Sequence, residues 1–119
     1  MPKASIPVSV AWPTIHKETH MQLYVILRRD GWRSGAELEE AAARSKQVGD
    51  EEMSDEVRWI RSYVLEEDAG TVGTVCIYEA TSPEAIRRHA DRADLPITEI
   101  IPVADTVLVR PDPSPAVAQ

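Results

Sequence analysis

Phenylalanine is absent from the 119 residues, and only one cysteine occurs. Without Phe, the core has to be filled by Val, Ile, Leu and Ala, with the few Trp and Tyr present. A single thiol, Cys76, closes no intramolecular disulfide, so nothing calls for an oxidising compartment and the cytoplasm is the expected location. Long apolar runs are also missing, and none approaches the ~20 residues of a membrane-crossing helix. Near the start, Pro7, Ser9 and Pro13 interrupt any stretch resembling the apolar core of a secretion signal. Positive charge is in deficit. Thirteen Lys and Arg against 20 Asp and Glu give a formal net charge of −7, whereas nucleic-acid surfaces gather cations to displace counterions. Arg28, Arg29 and Arg33 cluster locally, and their plain reading is a solvated strand end and loop. Neither nucleic acid nor a membrane is expected as a partner.

What is there fits one globular domain. The composition is 43% hydrophobic and 28% charged, and the length suits a single core. Residues 1–20 contain three prolines and no apolar period, and 111–119 open on Pro111-Asp112-Pro113-Ser114-Pro115. Both read as mobile extensions of a domain spanning 21–110. Met21 opens the first regular run and is read as an alternative start of translation.

Within the domain, Gln22–Arg28 is rich in β-formers and is followed by the turn signal Asp30-Gly31. Ser34 and Glu37 have capping-box spacing ahead of a helix. Its inward face carries Leu38, Ala41, Ala42, Ser45 and Val48, and Gly49 is the expected stop. Val57–Leu65 and Thr71–Ala80 read as strands joined by the loop Glu66–Gly70. Ser82-Pro83-Glu84 is a helix start, with Ile86, His89, Ala90 and Ala93 inward. Glu40–Arg44 and Glu84–Arg88 are spaced to pair along the helices. A last strand is expected over Thr98–Val109, broken near Pro102 or Asp105. The order β-α-β-β-α-β predicts an α+β fold of ferredoxin-like type: a four-stranded antiparallel sheet with both helices on one face.

The strands are apolar on both sides. Leu23, Val25 and Leu27 oppose Tyr24 and Ile26, and Val75 and Ile77 oppose Cys76 and Tyr78. Helices cover one face, so the other predicts a homodimer packed sheet to sheet in a barrel-like association. The alternative is a terminal segment of the same chain folded across it.

Three motifs are notable: Trp59-Ile60-Arg61-Ser62-Tyr63-Val64, Cys76-Ile77-Tyr78-Glu79-Ala80 and Ser82-Pro83-Glu84-Ala85-Ile86-Arg87-Arg88, followed by Leu95-Pro96. Over about residues 21–109 the chain resembles the bacterial family known as domain of unknown function 4242. The resemblance implies a dimeric ferredoxin-like fold and nickel binding, since one member is known as a nickel-binding protein. Arg61 stands where that family often has His, Thr81 where it has Pro, and Asp94 where it has Gly. A guanidinium is permanently charged and ligates no metal.

For nickel or another divalent transition metal, the candidate ligands are His89, Cys76 and Glu79, with His16 and His20 further candidates near the start. His89 also reads as a satisfied histidine at the core edge, and Cys76 as a small buried hydrophobe. If they share a sheet face, they form a candidate Cys–His pair. No catalytic motif, phosphate loop or zinc tetrad occurs. Three readings follow: metal binding, a small-molecule site between helices and sheet, and a structural or regulatory interaction module. Convergent ligands favour the first; a partly apolar cavity holding His89, Cys76 or a tyrosine favours the second.

Overall fold

The alternation of Tyr24, Ile26 and Arg28 with Leu23, Val25 and Leu27 sets the first strand between two unlike layers. In the computed structural model, which describes residues 20–113, the first set is buried and the second half-buried. This strand, β1 (Gln22–Trp32), runs four residues past its expected end at Arg28. Asp30 takes a left-handed φ of 51° and the register shifts between Arg28 and Trp32. The chain thereby absorbs the Asp30-Gly31 turn signal as a bulge and resumes pairing at Trp32 opposite Val72.

Ser34 caps α1 (Gly35–Gln47), its Oγ accepting from the Glu37 N–H. Gly49 does not stop the chain. A widened turn, Val48–Glu52, continues from α1, and Gly49 lies buried within it. A Cβ there would meet His89 Nε2 at 3.5 Å, an ordinary contact, so Gly49 neither ends the helix nor is demanded by packing. Next come β2 (Val57–Glu66) and β3 (Val72–Ala80), then α2 (Pro83–Ala93) with Ser82 as N-cap. Asp94 closes α2 at a left-handed φ of 57°, the conformation that glycine adopts most easily.

The last strand, β4, covers only Glu99–Pro102. Pro102 offers no N–H to a ladder, and 103–113 hold no regular structure. The helix-spaced ion pairs also differ from expectation. Arg44 donates to the carbonyls of Ala93 and Asp94, tying α1 to the C-terminus of α2. Arg88 pairs with Glu56 across elements.

The strands lie in the order β2-β3-β1-β4 with every neighbouring pair antiparallel. This is the ferredoxin-like α+β arrangement. Tyr24, Ile26, Cys76, Tyr78 and Val57 meet Ala85, Ile86 and Ala93 of α2 in the core. A bulge at Ile60 places both Trp59 and Ser62 on the helix side, where the Trp59 indole N–H donates to Ser62 Oγ at 2.8 Å.

On the far side, the segment after β4 reaches back to β2, the opposite edge. Arg61 and the Tyr63 hydroxyl donate to Asp112 at 2.8 and 2.7 Å. The crossing leaves Val107, Leu108 and Val109 exposed at 88, 76 and 76%. Among the described residues no helix is long and apolar enough to cross a membrane. Of the extensions read at 1–20 and 111–119, residues 1–19, including His16, and 114–119 lie outside the described residues.

Candidate functional site

The inward face of α1 is made of small residues. Ala41, Ala42 and Ser45, at helical spacing, stand over β1, β3 and β2 and do not fill the space beneath them. A cavity of about 300 Å³ results, mostly apolar, walled by Trp32, Trp59, Cys76 and Tyr78 among others. That volume is at the low end for ligand pockets. Its mouth is flanked by the exposed Glu39 and Val64. The Trp59 and Tyr78 rings stack with centroids 6.2 Å apart and planes at 12°.

Polar groups enter this space at a few points. Tyr78 shares a 2.8 Å hydrogen bond with Ser45 Oγ. Burial pushes the Tyr78 phenol above its ordinary pKa, with the Ser45 bond and the Arg28 charge opposing, so it stays protonated near neutrality. The Cys76 thiol donates to Thr74 Oγ1 at 3.3 Å. Arg28, only 1% exposed, lines the cavity as well. Its Nη1 donates to the Pro96 carbonyl at 2.7 Å, and its Nη2 is buried with no partner.

His89 lies behind this wall, edge-on to Tyr78 with centroids 5.5 Å apart. Its Nε2 donates to the Ser45 carbonyl at 2.9 Å, which leaves Nδ1 as an unprotonated acceptor, buried and without a partner. Burial lowers the His89 pKa; the Ser45 bond opposes this and the Arg28 charge adds to it. The ring is therefore neutral.

The residues offered for a metal do not converge within one copy. His89 and Cys76 do share the helix side of the sheet, yet each is bonded elsewhere, His89 to Ser45 and Cys76 to Thr74. Glu79 points to the opposite face, 3.3 Å from Arg58. His20 is exposed beside the start of β1. Among the described residues no group of three or more His, Cys, Asp or Glu is placed to hold a metal ion.

Arg28, read with Arg29 and Arg33 as part of a solvated strand end, is instead buried on the helix side of the sheet. Its neighbours Arg29 and Arg33 are exposed and paired with Glu67 and Glu37. The signal was in the strand period, since Arg28 continues the Tyr24–Ile26 face that points inward.

The sequence model of one family, described as nickel responsive protein SCO4226-like, matches residues 24–103. The chain belongs to this family. The match takes in both helices, the sheet from Tyr24 of β1 onwards and every wall of the cavity. A crystal structure of a family namesake, SCO4226 from Streptomyces coelicolor A3(2), superposes with a TM-score of 0.56 at 21% identity. It covers 71% of this chain and 99% of that one, a likeness of fold. No curated protein matches the sequence. The nickel of the family description therefore meets, within one copy and among the described residues, a set of side chains that does not fit a metal ion.

Proposed function

We propose that this member of the nickel responsive family is a cytoplasmic small-molecule-binding protein, with its site in the cavity between α1 and the sheet. The observation that carries this reading is the preformed space itself, with aromatic walls and few polar groups. A merely structural domain gains by filling such a space, because interiors are close-packed and voids forfeit contacts. Membership of domain of unknown function 4242 forms part of this proposal and rests on the three motifs.

The working form on this reading is a homodimer. Leu23, Val25, Leu27, Val75 and Ile77 share the far face with exposed Tyr63 and Ile101, and Val107–Val109 add a further exposed apolar run. A contiguous apolar surface of this kind marks an association site, and a twofold copy is its commonest cover.

The test of the cavity is titration with phenylacetamide, a neutral probe, followed by NMR. Saturable binding is expected, and Ala42→Trp, which fills the space from α1, removes it. Binding that Ala42→Trp leaves unchanged places the probe elsewhere and sinks the reading.

Nickel binding is a second reading, favoured by the family description. Calorimetric titration of tag-free, chelator-treated protein with Ni²⁺ tests it. Loss of binding in His89→Ala, Cys76→Ala or Glu79→Ala supports that residue as a ligand. Binding that survives all three removes them from consideration.

A further inference from the structure

Arg28 carries a permanent positive charge into the wall of the cavity. None of the ion pairs among the described residues includes it. Among the described residues, one carbonyl oxygen, of Pro96, and the Tyr78 ring at 6.0 Å are its compensation, and Nη2 has no acceptor. A buried cation without a counter-charge is strongly unfavourable, and among the described residues Arg28 has none, so the site suits an anionic ligand. Thr74 sits opposite Arg28 in register and also lines the cavity. Its hydroxyl accepts from the Cys76 thiol, which leaves its own proton free to donate.

Resting on the ligand-binding reading above, we propose that the cavity binds a small monocarboxylate with an aromatic or branched apolar body. The carboxylate accepts from Arg28 Nη2 and the Thr74 hydroxyl, and the body lies along Trp59 beneath Ala41 and Ala42. Several features select a single charge. No second cation lines the cavity, the remaining walls are mostly apolar, and Glu39 at the mouth repels further negative charge. A phosphate dianion would leave one charge unmatched. The volume of about 300 Å³, at the low end for ligand pockets, accommodates a small body such as one ring or a short branched chain.

The experiment compares phenylacetate with phenylacetamide, near-isosteric and differing in charge, by calorimetry on the full chain near neutral pH. Phenylacetate is expected to bind at least about tenfold tighter, a 1.4 kcal/mol difference. Arg28→Met is expected to abolish that preference while keeping phenylacetamide binding. The wild-type Arg28 side-chain NMR signals supply a readout independent of any variant, and they are expected to shift with phenylacetate and not with the amide. Equal affinity for the two probes overturns the monocarboxylate assignment and leaves the cavity reading standing. An acid preference that persists in Arg28→Met, or that leaves the Arg28 signals unmoved, overturns the role of Arg28. Failure of both probes to bind overturns the cavity reading together with this one.

Discussion

The guanidinium carbon of Arg28 lies 6.0 Å from the centroid of the Tyr78 ring, with both side chains on the helix side of the sheet. They come from adjacent strands, Arg28 opposite Thr74 and Tyr78 opposite Tyr24. Tyr78 in turn bonds Ser45, whose carbonyl accepts a hydrogen bond from the His89 Nε2–H. A cation, a neutral phenol, a hydroxyl and a neutral imidazole thus line up inside a core that holds no buried carboxylate among the described residues.

Arg28→Met is expected to unfold in urea at a midpoint equal to or above that of the wild type. The substitution removes one charged hydrogen bond, a loss of about 1.5–3 kcal/mol. It also removes the desolvation penalty of an unpaired cation, several kcal/mol by itself. A loss of more than ~2 kcal/mol would show instead that Arg28 is a structural tie to Pro96.

Stability is expected to decline as the pH falls below about 6.5, the ordinary histidine pKa. The unfolded chain takes up a proton at His89 that the folded chain, with its lowered pKa, refuses. Stability from this group is therefore full above the unfolded pKa and is lost as the pH falls towards the folded value, by at most ~1.4 kcal/mol per pH unit. Urea unfolding at two pH values, one on each side of that midpoint, checks it. His89→Gln should show a flatter dependence than the wild type; equal slopes would contradict the assignment.

Much of the fold was legible because local signals agreed with one another. Ser34 and Ser82 cap where capping chemistry places them, and the alternation in β1 and β3 points the right residues inward. What escaped were effects that need a neighbour. Gly49 reads as a stop, yet the chain carries it on into the widened turn Val48–Glu52, where it lies buried beside His89. Thr98–Val109 reads as a strand broken near Pro102 or Asp105, and pairing does end at Pro102, but the rest does not resume as a strand and is tied instead to Arg61 and Tyr63 by Asp112. A cavity between helices and sheet was one of three open readings, and the sequence could not decide for it, since the space depends on how Ala41 and Ala42 of α1 stand over the sheet. Arg28 was half legible, the strand period placing it inside while its charged neighbours argued for the surface.

Asp94→Gly is expected to stabilise the domain by up to about 1 kcal/mol. Asp94 ends α2 at a φ of 57°, where glycine escapes the steric cost that a side chain brings. Its backbone oxygen still accepts from Arg44 after the change. Thermal unfolding of the single variant checks it; a lower midpoint would mean that the Asp94 side chain contributes more than the strain costs.

The dimer predicts a mass of two chains by sedimentation equilibrium. Ile101→Glu combined with Leu108→Glu alters side chains that are 38 and 76% exposed in one copy. The pair should shift the mass towards one chain with little change in far-UV circular dichroism. A wild-type mass of one chain would contradict the sheet-to-sheet association.

The most direct measurement of the central claim is an isotope-filtered NOE experiment on the labelled protein with unlabelled phenylacetate. Contacts from the probe ring to Trp59, Ala42 and Tyr78 are the predicted result, and they place the ligand between α1 and the sheet. Contacts confined to Val25, Ile77 or Ile101 would put it on the opposite face and contradict the account.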